Sequence, residues 1–190
     1  MEIGSFITLG IFAATLIYGI VIYNSLVTLK HGISKAWANI DVLLKQRHDE
    51  LPKLVDTCKR YMRHEQETLE QVMRARAAVS EAGAKGDIGA LGTAENQLRL
   101  GLGNLFAVAE AYPDLKANES FRHLQERISG LEESIAHRRE FYNESVNLNN
   151  VRLEQFPDVI LARMFRFTSG ELLEFSAEKL ADPDMGRLFG

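Results

Sequence analysis

Three observations predict an all-α fold. Apolar residues recur at steps of three, four and seven along most of the chain, the spacing of one helix face. No stretch shows sustained apolar alternation, and no Asn-Gly or Asp-Gly pair marks a hairpin. Only 4 prolines and 14 glycines interrupt 190 residues, so the segments between breakers are long. Together these predict a transmembrane helix at the N-terminus that continues into a long helix of an antiparallel helical bundle. The expected organisation is a short N-terminus and membrane span over 1–29, a bundle over 30–167 and a tail over 168–190.

The first element is set by the absence of charge. None of Ile3 to Leu29 is ionisable at neutral pH, and Ile3 to Tyr23 is apolar apart from Gly, Ser and Thr. About 20 such residues are needed to cross the hydrocarbon core. The Ile, Leu, Phe and Val side chains between Ile3 and Ile22 favour insertion by about 3 to 7 kcal/mol together. Tyr18 and Tyr23 stand toward the end of the run, where headgroups favour aromatic rings. A cleaved signal peptide would carry basic residues before a shorter apolar run, whereas here Glu2 precedes it and no small-residue cleavage site follows. Lys30, Lys35, Lys45 and Arg47 follow the span and no Lys or Arg precedes it. The positive-inside tendency therefore places the N-terminus outside and the bulk of the chain in the cytoplasm.

The next apolar stripe comprises Trp37, Ile40, Leu44, Leu51, Leu54, Cys58, Tyr61, Leu69 and Val72. It keeps its phase across Pro52, which predicts one helix from Asn24 to Val79, kinked at the proline. Two antiparallel helices meeting near Pro52 are the competing arrangement. Gly83 to Gly86 reads as a turn, with Asp87 capping a helix that carries Ile88, Leu91, Leu98, Leu102, Leu105 and Phe106. Tyr112-Pro113 stops it, since the residue before proline avoids helical backbone. Asn118 caps a third segment with Phe121, Leu124, Ile128, Leu131, Ile135, Tyr142, Val146 and Leu153 on its inner face. Phe156-Pro157 ends that segment. A short amphipathic piece, Val159 to Phe167, precedes a Glu-rich tail with Leu172, Leu173 and Phe175.

Several chemistries lack their residues. With 22 basic and 26 acidic side chains the net charge is −4, so the basic excess of a nucleic-acid binder is missing. A single cysteine, Cys58, excludes an internal disulfide and a thiolate zinc cluster. His64-Glu65 opens a metalloprotease-like helix motif, but Thr68 stands where its second histidine belongs. The five histidines share no ligand spacing, and no Glu-x-x-His pair supports a carboxylate-bridged metal site. Gly101-Leu102-Gly103 lacks the third glycine of a phosphate loop. No catalytic residue, cofactor or metal is therefore expected.

Polar side chains on or beside the inner stripes carry the remaining signal. Buried charges must pair or cost several kcal/mol each. Asp41, Arg47, Glu65, Arg138, Arg139 and Asn143 are therefore read as a structural polar network, with Asp41 pairing Arg138 or Arg139 across helices. Trp37, Tyr61, Tyr112, Phe121 and Tyr142 are the expected core anchors.

These residues resemble the LemA family of bacterial membrane-anchored helical proteins. Tyr23-Asn24-Ser25-Leu26-Val27 is similar to the family motif just after the span. Ala36-Trp37, Ile40-Asp41-Val42, Leu44, Arg47, Pro52 and Leu54-Val55 form the most recognisable block, continued by Tyr61, His64-Glu65, Thr68-Leu69 and Ala75-Arg76-Ala77. Glu110 to Asn118 is a second block, and Ile135-Ala136, Arg138-Arg139, Tyr142-Asn143 and Phe156-Pro157 a third. Two departures are local: Leu148-Asn149 where the family often repeats Tyr-Asn, and Phe165-Arg166-Phe167 where it often has Phe-Gly-Phe. The resemblance implies a single-pass protein of the bacterial inner membrane with a mostly cytoplasmic bundle, and it implies no enzyme. Genes of the family often lie near a membrane-bound zinc metalloprotease, and one relative belongs to the magnetosome membrane.

The expected function is a non-catalytic scaffold or adaptor. Ile3 to Tyr23 would contact the lipid bilayer, and the bundle would bind a protein partner, such as a membrane protease system, or a second copy of the chain. A membrane-shaping or membrane-sensing protein is the alternative, supported by the basic-aromatic run Arg163 to Phe167. A hydrolase is a distant third.

Overall fold

The computed structural model describes residues 2–174, so Phe175 and the rest of the expected tail lie outside the described residues. The elements in chain order are α1 (Glu2–Lys59), α2 (Gln66–Lys85), α3 (Ile88–Ala109), α4 (Pro113–Ala117), α5 (Glu119–Glu154) and α6 (Asp158–Met164). Among the described residues there is no strand. The described residues form two compact units: 2–40 with 138–172, and 41–137 with 173–174.

In the second unit α1 runs through Pro52 and stops at Lys59. Proline has no N–H to offer the carbonyl four residues back, so the His48 carbonyl loses its helical partner. Arg76 supplies one: its Nε donates to that carbonyl at 2.9 Å. Its Nη2 lies 2.6 Å from Nε2 of the His48 ring. Arginine can only donate, so Nε2 accepts and the imidazole is neutral with its proton on Nδ1. One side chain of α2 thus compensates the proline of α1 and joins the two helices.

The expected single helix to Val79 is corrected here. The chain reverses over 60–65, between Lys59 and Gln66. The N–H groups of Tyr61 and Met62 both return to the Cys58 carbonyl, at 3.0 and 2.8 Å, which closes the last turn. Met62 points inward and is buried. The stripe concealed this break because Cys58 and Leu69 are eleven residues apart, about three full turns, so phase survives the reversal.

The α2–α3 hairpin forms as its residues dictate. Gly86 takes left-handed backbone, φ 66°, which glycine adopts without strain. Asp87 then caps α3, its Oδ1 accepting from the Ala90 N–H at 2.8 Å. Leu69, Val72, Ala75 and Val79 of α2 are buried, as are Leu91, Leu98, Leu102 and Leu105 of α3. At Gly101 the two helices are in ordinary contact, an added Cβ lying 3.5 Å from Val72. At Gly92 a Cβ would meet the Glu174 carbonyl oxygen at 2.2 Å, so the chain crosses α3 only where no side chain stands. Asn118 caps α5 by accepting from the Phe121 N–H at 3.0 Å.

The first unit is built on the N-terminal part of α1, the C-terminal part of α5 and α6. Trp37 and Tyr142 pack with ring centroids 5.7 Å apart. Tyr142 donates its hydroxyl to the Glu171 carbonyl at 3.0 Å. The Asn150 side-chain amide binds both backbone groups of Gly170, at 2.9 and 2.8 Å. A Cβ at Gly170 would crowd Val146 at 3.2 Å, so the strap after α6 lies flat against α5. Ile22, Leu26 and Ala162 form a small core with Leu153, Leu161 and Phe167.

Burial, and then the neighbouring Arg76 charge, lower the pKa of His48. A depressed histidine favours the neutral folded form, so its contribution is present above about pH 6.5 and is lost as pH falls below it. Thermal unfolding of the detergent-solubilised chain at pH 7.5 and 5.5 checks this. Wild type should lose more stability on acidification than His48→Gln, which accepts a bond but does not titrate.

Candidate functional site

Within the second unit one cation holds three helices. Arg47 is 1% exposed and lies on the inner face of α1, three residues after Leu44 and four before Leu51. Its Nη2 donates to Glu95 of α3, and its Nη1 donates to Glu132 of α5. Burial opposes the Arg47 charge, but the two carboxylates outweigh it and raise its pKa. Burial raises the pKa of Glu95, with Glu132 adding to the rise and Arg47 opposing it. Beside this triad Glu50, also buried, binds Arg127 of α5 at 2.9 Å and Lys53 at 3.3 Å. These contacts fix helix register, and none presents a nucleophile or an open coordination position.

The other expected network residues fall elsewhere. Asp41 pairs with Lys45 at 2.6 Å along its own helix, with 40% of its side chain exposed. It sits beside the stripe, within reach of a lysine one turn on. Glu65 accepts from the Tyr112 hydroxyl at 3.2 Å, and Asn118 donates to the Tyr61 hydroxyl at 3.1 Å. Arg138 is exposed, while Arg139 and Asn143 are half-buried on α5. Of the expected anchors, Phe121 and Tyr142 are buried and Trp37, Tyr61 and Tyr112 are half-buried.

Glu95 and Glu132 were not singled out from the sequence, although a signal existed. Glu95 falls four residues after Leu91 and three before Leu98, and Glu132 four after Ile128 and three before Ile135. A carboxylate at a stripe position asks for a buried cation, and Arg47 is that cation.

Cys58 is fully buried, and burial pushes its thiol up to about 12, so it holds no thiolate at neutral pH. Among the described residues no three His, Cys, Asp or Glu side chains are grouped to hold a metal ion.

The first unit presents a different surface. α1 is long and apolar enough at its start to cross a membrane, and the side chains from Ile3 to Ile17 are exposed on every face. Burial begins at Ile22, where α6 packs alongside. The Tyr23 ring packs edge-to-face with Phe165 and Phe167, with ring centroids 4.8 and 5.9 Å apart. Phe167 is half-buried, whereas Phe156, Ile160, Met164 and Phe165 are exposed. An uncharged groove of about 520 Å³ lies between Leu16 and Ile20 of α1 and Ile160 and Met164 of α6. A second cavity, of about 490 Å³, is lined by Lys30, His31, Ser34, Asn149, Arg166 and Thr168 and by no carboxylate. Tyr23 and Phe165 line both. Arg166 closes α6 in left-handed backbone, φ 56°, a conformation that costs a non-glycine residue about 1 kcal/mol. This geometry accounts for a glycine at that place in the resembling pattern Phe-Gly-Phe.

The triad ranks three substitutions. Arg47→Met leaves the buried Glu95 carboxylate unpaired beside the half-buried Glu132 and should cost about 3–5 kcal/mol. Glu95→Gln leaves Arg47 with Glu132, a neutral pair, and should cost less. Adding Glu95→Gln and Glu132→Gln to Arg47→Met should recover much of the loss. Denaturant unfolding of the detergent-solubilised chains measures the order, and equal costs for the two single variants would show that the triad charges are solvated.

The model of the LemA family matches residues 36–185. Magnetosome proteins MamQ 1 and MamQ 2 of Paramagnetospirillum magneticum are each 25% identical to this chain over 175 residues, covering 80% of it and 64% of their own length. Magnetosome protein MamQ of Magnetospirillum gryphiswaldense is 25% identical over 182 residues, covering 84% and 66%. The chain thus spans a little under two thirds of the curated relatives it matches. Family blocks that lie apart in sequence meet in space, as Tyr61 meets Asn118 and Glu65 meets Tyr112, and with the match over most of the chain they make it a member of the LemA family.

Proposed function

We propose that the chain is a membrane-anchored, non-catalytic scaffold whose helical bundle binds a protein partner on the cytoplasmic side of a bacterial inner membrane. The observation that carries this reading is α1, which is both anchor and bundle element. Its first part exposes apolar side chains all round, and its second part supplies Arg47, Glu50 and His48 to helix-joining contacts. The conspicuous buried charges are engaged with each other, which suits cohesion of a binding surface rather than turnover. That relatives are named magnetosome proteins supports a part in a larger assembly.

The partner surface proposed is the groove at the α1–α2 reversal. It encloses about 580 Å³ between Val55, Met62, Leu69 and Met73, with Lys59, Arg63 and Glu70 at its rim. Methionine side chains re-pack readily against different partners. The proposed partner is a membrane protein, a membrane protease system being one candidate and a second copy of this chain another.

Two measurements test this reading. A photo-crosslinking residue at position 63 or 73, in living cells, should give one discrete protein adduct that the same residue at exposed positions 104 and 126 does not. Adducts of equal yield from all four positions, or none, would remove the scaffold reading. For orientation, a reporter fused after Gly190 should be active only in the cytoplasm, and activity confined to the periplasm would reverse the topology.

A further inference from the structure

The groove and the basic cavity of the first unit have the shape and chemistry of one amphiphile. The groove is lined by uncharged residues from Phe12 to Tyr23. Those eleven steps cover about 16 Å of helix. That is close to half of the roughly 30 Å hydrocarbon core, the depth of one leaflet. Past the Tyr23–Phe165 ring pair the lining changes to Lys30, His31 and Arg166, with Thr168 as a hydroxyl donor and no acid to cancel the charge. The polarity therefore switches where the apolar run Ile3 to Tyr23 ends.

We infer that this juxtaposed groove and basic cavity form a binding site for a single anionic glycerophospholipid drawn from the bilayer. An acyl chain lies in the groove between α1 and α6, and the headgroup phosphate is held by Lys30 and Arg166 with hydroxyl support. The inference rests on the membrane-anchored reading above and goes beyond it by giving α6 and the strap after it a ligand. Charge complementarity selects a phosphate that carries net negative charge over a zwitterionic headgroup. Continuity of the groove with the exposed apolar face of α1 selects a lipid over a soluble phosphate. The left-handed backbone at Arg166 is consistent with this, because a cation is kept where glycine would fit without strain.

Native mass spectrometry of the full-length chain in mixed micelles of phosphatidylglycerol and phosphatidylcholine tests the site. One phosphatidylglycerol should be retained in preference to phosphatidylcholine. Each basic side chain near the headgroup should contribute about fivefold to that preference, so Arg166→Gly and Lys30→Gln should each lower it by that factor with helix content unchanged. Ile20→Trp, which fills the groove, should lower lipid retention as well. Equal retention of the two lipids, or an unchanged preference in both charge variants, overturns the proposal. Displacement of the lipid by equimolar glycerol 3-phosphate, with Ile20→Trp having no effect, also overturns it and assigns the cavity to a soluble phosphate. Vesicle flotation separates this failure from that of the anchor. A chain that floats without headgroup preference loses only the lipid site, whereas a chain that stays at the bottom of the gradient loses the membrane reading itself.

Discussion

A guanidinium with almost no exposed surface cannot remain in a helical core unless anions are brought to it. Arg47 imposes that demand on the second unit, and Glu95 of α3 and Glu132 of α5 meet it. Because each carboxylate lies on a different helix, the requirement sets where α3 and α5 stand along α1. The surrounding leucines would pack almost as well one turn away, since apolar contact is non-directional. The charged contacts are directional, and a shift of one turn would leave Arg47 without its bonds. The Glu50–Arg127 contact repeats the constraint about one turn further along α1.

Elsewhere the fold relies on local compensation. Pro52 would ordinarily end a helix or bend it sharply, yet α1 continues for seven residues beyond it to Lys59. What makes this tolerable comes from α2, where Arg76 fills the vacancy at the His48 carbonyl. Gly92 and Gly170 do comparable work by absence, each lying where another part of the chain approaches its Cα. Such positions are quiet in a hydrophobicity pattern because they are defined by what touches them.

Much of the fold was legible in the residues. The uncharged start of α1, the cap at Asp87, the turn at Gly86 and the cap at Asn118 are local signals, and local physics decides them. The reversal at 60–65 was not legible, because no glycine or proline marks it and the stripe happens to stay in phase. Polar pairing was legible only in part. Arg47 announced itself by standing on an apolar face, but its partners depend on which helices adjoin α1, and that is tertiary information. The Lys45 partner of Asp41 stands one turn away on the same helix, a spacing that the sequence does contain. The cavity containing Arg166 could not be read from sequence at all, because it joins residues near 30 to residues near 166.

Cys58 carries a consequence of a different kind. It is the only cysteine in the chain, it is fully buried beside the α1–α2 reversal, and its thiol is held protonated. An alkylating reagent in solution cannot reach it in the closed bundle. Its modification rate at neutral pH therefore follows how often the end of α1 opens, multiplied by the intrinsic rate of an exposed thiol. The protein carries a built-in clock for its own breathing, one that reads out without an added label. A ligand that tightens this end of the bundle will slow that clock in proportion to the open population it removes.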